Sequence, residues 1–186
     1  MQTFQNQLLI AMPSLKDGYF ERTVTYVCEH NEQGAMGIIV NQPIDMKLPE
    51  LLAQIKTSTE GKNINPETPI YAGGPVAMER GFVLHKPQPK KWKSSMQLSE
   101  DMMVTTSQDI LDALGTHEEP EDYLICLGYA GWGAGQLEQE ILENSWITLP
   151  ASAELVFKTP IHLRWQHATD HLGFATWQIS DDIGHA

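Results

Sequence analysis

Cys28-Glu29-His30 is the run of residue types most suited to reaction chemistry. In an extended chain alternate side chains point the same way, so a strand sets Cys28 and His30 on one face, about 6–7 Å apart. An imidazole at that spacing, through a water or by rotation, supports a thiolate nucleophile. The thiol needs that help, because an unperturbed pKa of about 8.5 leaves it mostly protonated at neutral pH. Arg80 and His85 are further candidates to approach the thiol from a paired strand. A plainer reading stands beside this one: a cysteine alternating with Val24 and Tyr26 is a small buried hydrophobe. Cys126, set in LICL, reads as core.

Other arrangements offer less. His167 and His171 lie four apart with Asp170 between them, but no third ligand follows, so no metal site is expected. Residues 124–141 (LICLGYAGWGAGQLEQEI) read as a buried strand, a glycine-dense turn at Gly128, Gly131, Gly133 and Gly135, and an acidic helix. Such a turn can cradle a phosphate, yet the spacing matches neither dinucleotide nor P-loop signatures and no lysine follows. With Glu138 and Glu140 opening the helix, these glycines are better explained as room for Trp132 to pack under a strand. No G-x-S-x-G, H-E-x-x-H or paired-carboxylate pattern supports a hydrolase, and no cofactor is expected.

The elements that position these residues follow from periodicity. Strands are expected at 8–12, 23–29 and 35–41, the last two forming a hairpin over a four-residue loop, 31–34. A short helix over 49–56 carries Leu51, Leu52 and Ile55 on one side, and 57–69 is a loop. Short strands follow at 70–76 and 80–85 around Gly-Gly-Pro, then at 92–98 and 102–105. Thr106 and Asp109 resemble a capping box for a helix over 107–114, ended by Gly115. The strand at 122–127 leads into the glycine turn. The helix over 135–144 turns Leu137, Ile141 and Leu142 inward and sets Gln136, Glu140 and Asn144 on another face. Two closing helices, 151–158 and 161–172, flank Pro160, and the last dozen residues read as irregular. Strands grouped in hairpins before late helices imply an α+β fold in a single domain over residues 1–186.

Composition narrows the function classes. The chain of 186 residues carries a formal charge of −12, which opposes contact with nucleic-acid phosphates. Its one basic cluster, residues 86–93 (KPQPKKWK), is short and proline-broken, a solvated loop. No apolar run reaches the roughly 18–20 residues that cross a bilayer, and the N-terminus lacks a basic n-region, so a cytoplasmic protein without membrane contact is expected. Two cysteines outside any CxxC then stay reduced.

Three segments carry a family resemblance: YVCEHNEQGAMGIIVN at 26–41 with Pro43, Gly73-Gly74-Pro75 with RGFVLH at 80–85, and GYAGWGAGQLEQE at 128–140. Together they resemble the YqgE/AlgH family of bacterial proteins, and Gly184-His185-Ala186 fits as well. The resemblance implies an α+β domain whose split, mixed sheet curls into a pseudo-barrel with helices around it. Members are described as transcriptional regulators on genetic grounds, without an assigned biochemical activity. The leading expectation is a non-catalytic regulatory protein that binds a protein partner or small molecule where the three motifs meet. The candidate contacts are Asn41, Gly73, Gly74, Pro75, Arg80, Gly131, Trp132, Gln136 and Glu140, with Arg80 as the anion contact. The alternative is a thiol protein in which Cys28, with Glu29 and His30, forms mixed disulfides or thioesters.

Overall fold

Residues 2–13, 15, 18–89 and 92–172 are described by the computed structural model. The chain folds into two compact units, Pro43–Tyr129 forming an inserted unit and the sequence on either side of it a discontinuous one.

In the discontinuous unit, largely buried runs build β1 (Gln7–Ala11), β2 (Val24–Asn31) and β3 (Gly34–Ile39). Asn31 pairs with Gly34, so the hairpin loop is Glu32-Gln33 alone rather than four residues. The sheet runs β10 (Trp146–Pro150), β1, β2, β3 and the end of β9 (Tyr123–Gly133), every pair antiparallel. Its core joins Leu9, Val27, Trp132 and Trp146 to Leu137 of α3 (Gln136–Leu142). Leu142 is 78% exposed rather than inward, because α3 ends there. Ser152 caps α4 (Ala153–Phe157) by accepting from the Leu155 N–H, as its residue type favours. The last expected helix begins as a 3₁₀ turn, Ile161–Leu163, before α5 (Arg164–His171). The expected irregular tail and Gly184-His185-Ala186 lie outside the described residues.

The glycine-dense segment is strand, not turn. Gly128, Gly131 and Gly133 all lie in β9, and only Gly135 leaves the strand, at φ 74, to start α3. Gly128, Ala130 and Trp132 are buried while Gly131 and Gly133 are exposed, a period-2 alternation. Beneath the indole lies Gly37, where a Cβ would come within 3.3 Å of the Trp132 ring and 2.7 Å of the Thr25 methyl. The glycines do make room for Trp132, but across a continuous ladder.

The inserted unit holds β4 (Pro43–Lys47), α1 (Leu48–Gln54), β5 (Pro69–Ala72), β6 (Val76–His85), β7 (Ser95–Gln97), β8 (Met103–Thr105) and α2 (Asp109–Ala113). Its sheet is mixed: β5 runs parallel to β9, while β9–β6, β6–β8, β8–β7 and β4–β5 are antiparallel. Leu48, Leu52, Ile70, Val83, Ile110 and Ile125 form its core. The expected strand 70–76 is split at Gly73-Gly74-Pro75 between β5 and β6. No capping box forms: the N-cap of α2 is Gln108, and the Asp109 carboxylate instead accepts from the Ser107 hydroxyl and the Lys93 N–H. The chain is thus α+β, with a mixed sheet and short helices.

Candidate functional site

A β-bulge interrupts β2 at the thiol. Val27 pairs with Gly37 and Glu29 with Met36, so Cys28 is the extra residue of the bulge. Cys28 is 1% exposed, with Sγ 3.9 Å from the Tyr26 carbonyl oxygen. His30 is equally enclosed, and both ring nitrogens are committed. Nδ1 accepts from the Phe4 N–H at 2.9 Å, which fixes the tautomer, so Nε2–H donates to the Glu138 carboxylate. Glu29 points outward and accepts from the Asn31 amide. The thiol therefore has neither access nor an imidazole lone pair, and the run serves as core and as a tie between β2, the N-terminal segment and α3.

The discontinuous-unit candidates are also held by internal bonds. Trp132 Nε1–H donates to Glu140 at 2.7 Å, and the Gly133 N–H donates to Gln136 Oε1 at 3.0 Å. The polar stripe expected to face a ligand thus anchors α3 to β9. Gly131 is exposed on β9. Asn41 Oδ1 accepts from the Val24 N–H at 2.8 Å while its amide donates to the Arg22 carbonyl at 2.9 Å. On α5, His171 Nδ1–H donates to the His167 carbonyl at 2.7 Å, within the helix.

Gly73, Gly74, Pro75 and Arg80 lie in the inserted unit instead. The Gly73 N–H donates to the Leu127 carbonyl at 2.8 Å. In β6, Val76 pairs with Tyr129 and Gly81 with Leu127, so residues 77–80 bulge out opposite Gly128. Ala77 takes φ 48 there, a conformation that costs a non-glycine residue about 1–3 kcal/mol and collects at functional sites. Gly128 itself has φ +78, and a Cβ on it would sit 2.4 Å from the Gly74 carbonyl oxygen. Arg80 extends into solvent over the Phe82 ring, 5.5 Å from its centroid.

Beside this bulge a cavity of about 230 Å³ opens. Leu51, Ile55, Val83, Leu111, Ile125 and Leu127 supply an apolar lining, and Glu79, Gly81, Thr106, Ser107 and Gln108 a polar rim. Thr105, also lining it, belongs to a relay in which Ser95 donates to Thr105 and Thr105 to His85 Nε2. That pattern follows from His85 Nδ1–H donating to the Lys86 carbonyl; burial lowers the His85 pKa, and this bond partly offsets it. No cysteine, histidine or lysine lines the cavity. Its chemistry is that of binding: apolar walls with a polar end. Sequence reasoning saw the apolar side of α1 and the glycine–proline motif, but it read 106–108 only as a helix start, and only tertiary structure brings that rim to the cavity.

The comparisons with known proteins agree on one relationship. The family model described as AlgH-like matches residues 8–177. A UPF0301 protein of Idiomarina loihiensis is 53% identical and one of Shewanella loihica 52%, each over the whole of both chains. Among solved structures, the AlgH protein from Pseudomonas aeruginosa is 41% identical with a TM-score of 0.77, covering all of both chains. A Corynebacterium diphtheriae protein at 19% identity shares the fold, with a TM-score of 0.71 over 92% of this chain and 88% of its own. No helix among the described residues is long and apolar enough to cross a membrane. Motifs, fold and relatives converge: the chain belongs to the AlgH-like family.

Proposed function

We propose that the protein is a non-catalytic binding protein of the bacterial cytoplasm, whose regulatory action runs through a ligand or partner seated in the cavity beside the β6 bulge. The observation that carries this reading is the pairing of an apolar, one-ended cavity with strained backbone at Ala77. Its volume of about 230 Å³ falls below the roughly 300–1,000 Å³ of drug-sized sites, so it suits a small molecule or one or two apolar side chains of a partner. Any effect on transcription is then indirect, because a net charge of −12 opposes docking on DNA. The thiol alternative lacks support in the geometry at Cys28, where the sulfur is enclosed and the imidazole is engaged on both sides.

A ¹⁵N chemical-shift titration with 3-phenylpropan-1-ol, an apolar ring with a single hydroxyl, tests the reading. Saturable shifts confined to Gly81 and residues 105–108 are expected. Shifts that are absent, or that grow linearly across the surface, would remove the cavity from consideration.

A further inference from the structure

A second recess, in the discontinuous unit, has the opposite chemistry. It measures about 310 Å³ and is lined by Arg22, Asn41, Gln42, Ile161, His162, Trp165 and Gln166. Every polar side chain in that lining carries an N–H donor, and none is a carboxylate, in a chain with 24 acidic and 12 basic residues. The anchor is preorganised. Arg22 holds φ 54, pinned by the Asn41 amide on its carbonyl, and its guanidinium lies 5.0 Å from the centroid of the Trp165 ring. Trp165 is fixed in turn by donating Nε1–H to the Ala11 carbonyl at 3.0 Å. Next to Trp165 in sequence, the buried Arg164 donates to the carbonyls of Val40 and Thr159. Arg22 forms no ion pair among the described residues.

We propose that this recess binds a small oxyanion, a carboxylate- or phosphate-bearing metabolite, with Arg22 as its charged anchor. A guanidinium held against an aromatic face keeps its outer N–H fork directed for bidentate capture of an oxyanion, and little rotamer freedom is left to lose. Side-chain amides from Gln42 and Gln166 and the His162 ring N–H supply the remaining donors. The site lies in a different unit from the cavity of the proposed function and stands independently of it.

The experiment is a ¹⁵N titration of the full chain with inorganic phosphate and, separately, with benzoate, at constant ionic strength. Saturable shifts of the Trp165 indole and of the Gln42 and Gln166 side-chain amides are expected. Tighter binding of phosphate assigns a phosphoryl ligand, and tighter binding of benzoate an aryl carboxylate. Asparagine tolerates positive φ, so Arg22→Asn retains the backbone while removing the guanidinium, and affinity should fall at least about tenfold. Gln166→Glu, at an exposed helical position, sets a like charge at the mouth without touching the core and should weaken binding by a similar factor of about ten. Failure of both anions to saturate, or affinities in Gln166→Glu within about twofold of the native chain, would overturn the proposal.

Discussion

Gly128 and Gly81 lie on neighbouring strands of the inserted unit, where Gly81 pairs with Leu127, and they do opposite things. At Gly128 the backbone crossing is full: a methyl group would collide with the Gly74 and Val76 carbonyl oxygens at 2.4 and 3.0 Å. At Gly81 a Cβ would meet nothing within 4 Å, and the open space is the cavity. One glycine is needed for what presses on it, the other for what it leaves empty. Glycine in a family motif therefore does not point to a site by itself; the space around it decides.

The largest effect should come from filling the full crossing. Gly128→Ala adds both a positive-φ penalty and a backbone clash, and should cost about 3 kcal/mol or more in guanidinium unfolding. A loss below about 1 kcal/mol would mean the crossing is not tight, and the contrast with Gly81 would disappear. A second test concerns the stripe that binds α3 to β9. Glu140→Ala strands the buried Trp132 N–H and should cost about 1–2 kcal/mol, whereas Glu140→Gln keeps an acceptor and should recover most of it. Equal losses in both variants would show that the charge, not the hydrogen bond, matters there.

A smaller, pH-dependent effect separates structural polar groups from available ones. The Glu138 carboxyl is held below its ordinary 4.5, first by its own backbone N–H and then by the His30 ring, against an opposing desolvation. A carboxyl lowered in the fold adds stability that is present above its unfolded value and lost as pH falls through the lowered one. Unfolding midpoints measured from pH 6 down to about pH 3 should therefore drop more steeply for the native chain than for Glu138→Gln. Parallel curves would remove the His30–Glu138 tie from the account. The smallest stability change belongs to Gly81→Val, within about 0.5 kcal/mol, since a β-branched residue suits a strand and the space is free.

Much of the fold was legible in the residues. Apolar runs located β1 and β3 and alternation located β2, and Ile55, Leu51 and Leu52 marked α1. The α+β class followed from the order of elements, and the family from three motifs. The principal miss was the glycine segment. Composition argued turn, while the alternation of Gly128, Ala130 and Trp132 against Tyr129, Gly131 and Gly133 carried the strand signal in a run where all but Tyr129 and Trp132 are glycine or alanine, too small to register as hydrophobic. β4 and β10 were missed as short strands whose pairing partners lie far along the chain. The site was less legible than the fold. Motif residues such as Trp132, Gln136 and Glu140 are consumed by internal bonds, while Gly81, inside the RGFVLH motif, and residues 106–108, read as a helix start, come to border one cavity only through tertiary packing. Arg22 was missed for the same reason: its importance lies in what Asn41 and Trp165 do to it.

The most direct measurement is one titration performed twice, with 3-phenylpropan-1-ol added to the native chain and to Gly81→Val, each checked for an unchanged amide spectrum elsewhere. Saturable shifts around residues 105–108 in the native chain, lost in a folded Gly81→Val, are the predicted result. Equal binding by both chains, or by neither, would contradict the assignment of this cavity as the binding site.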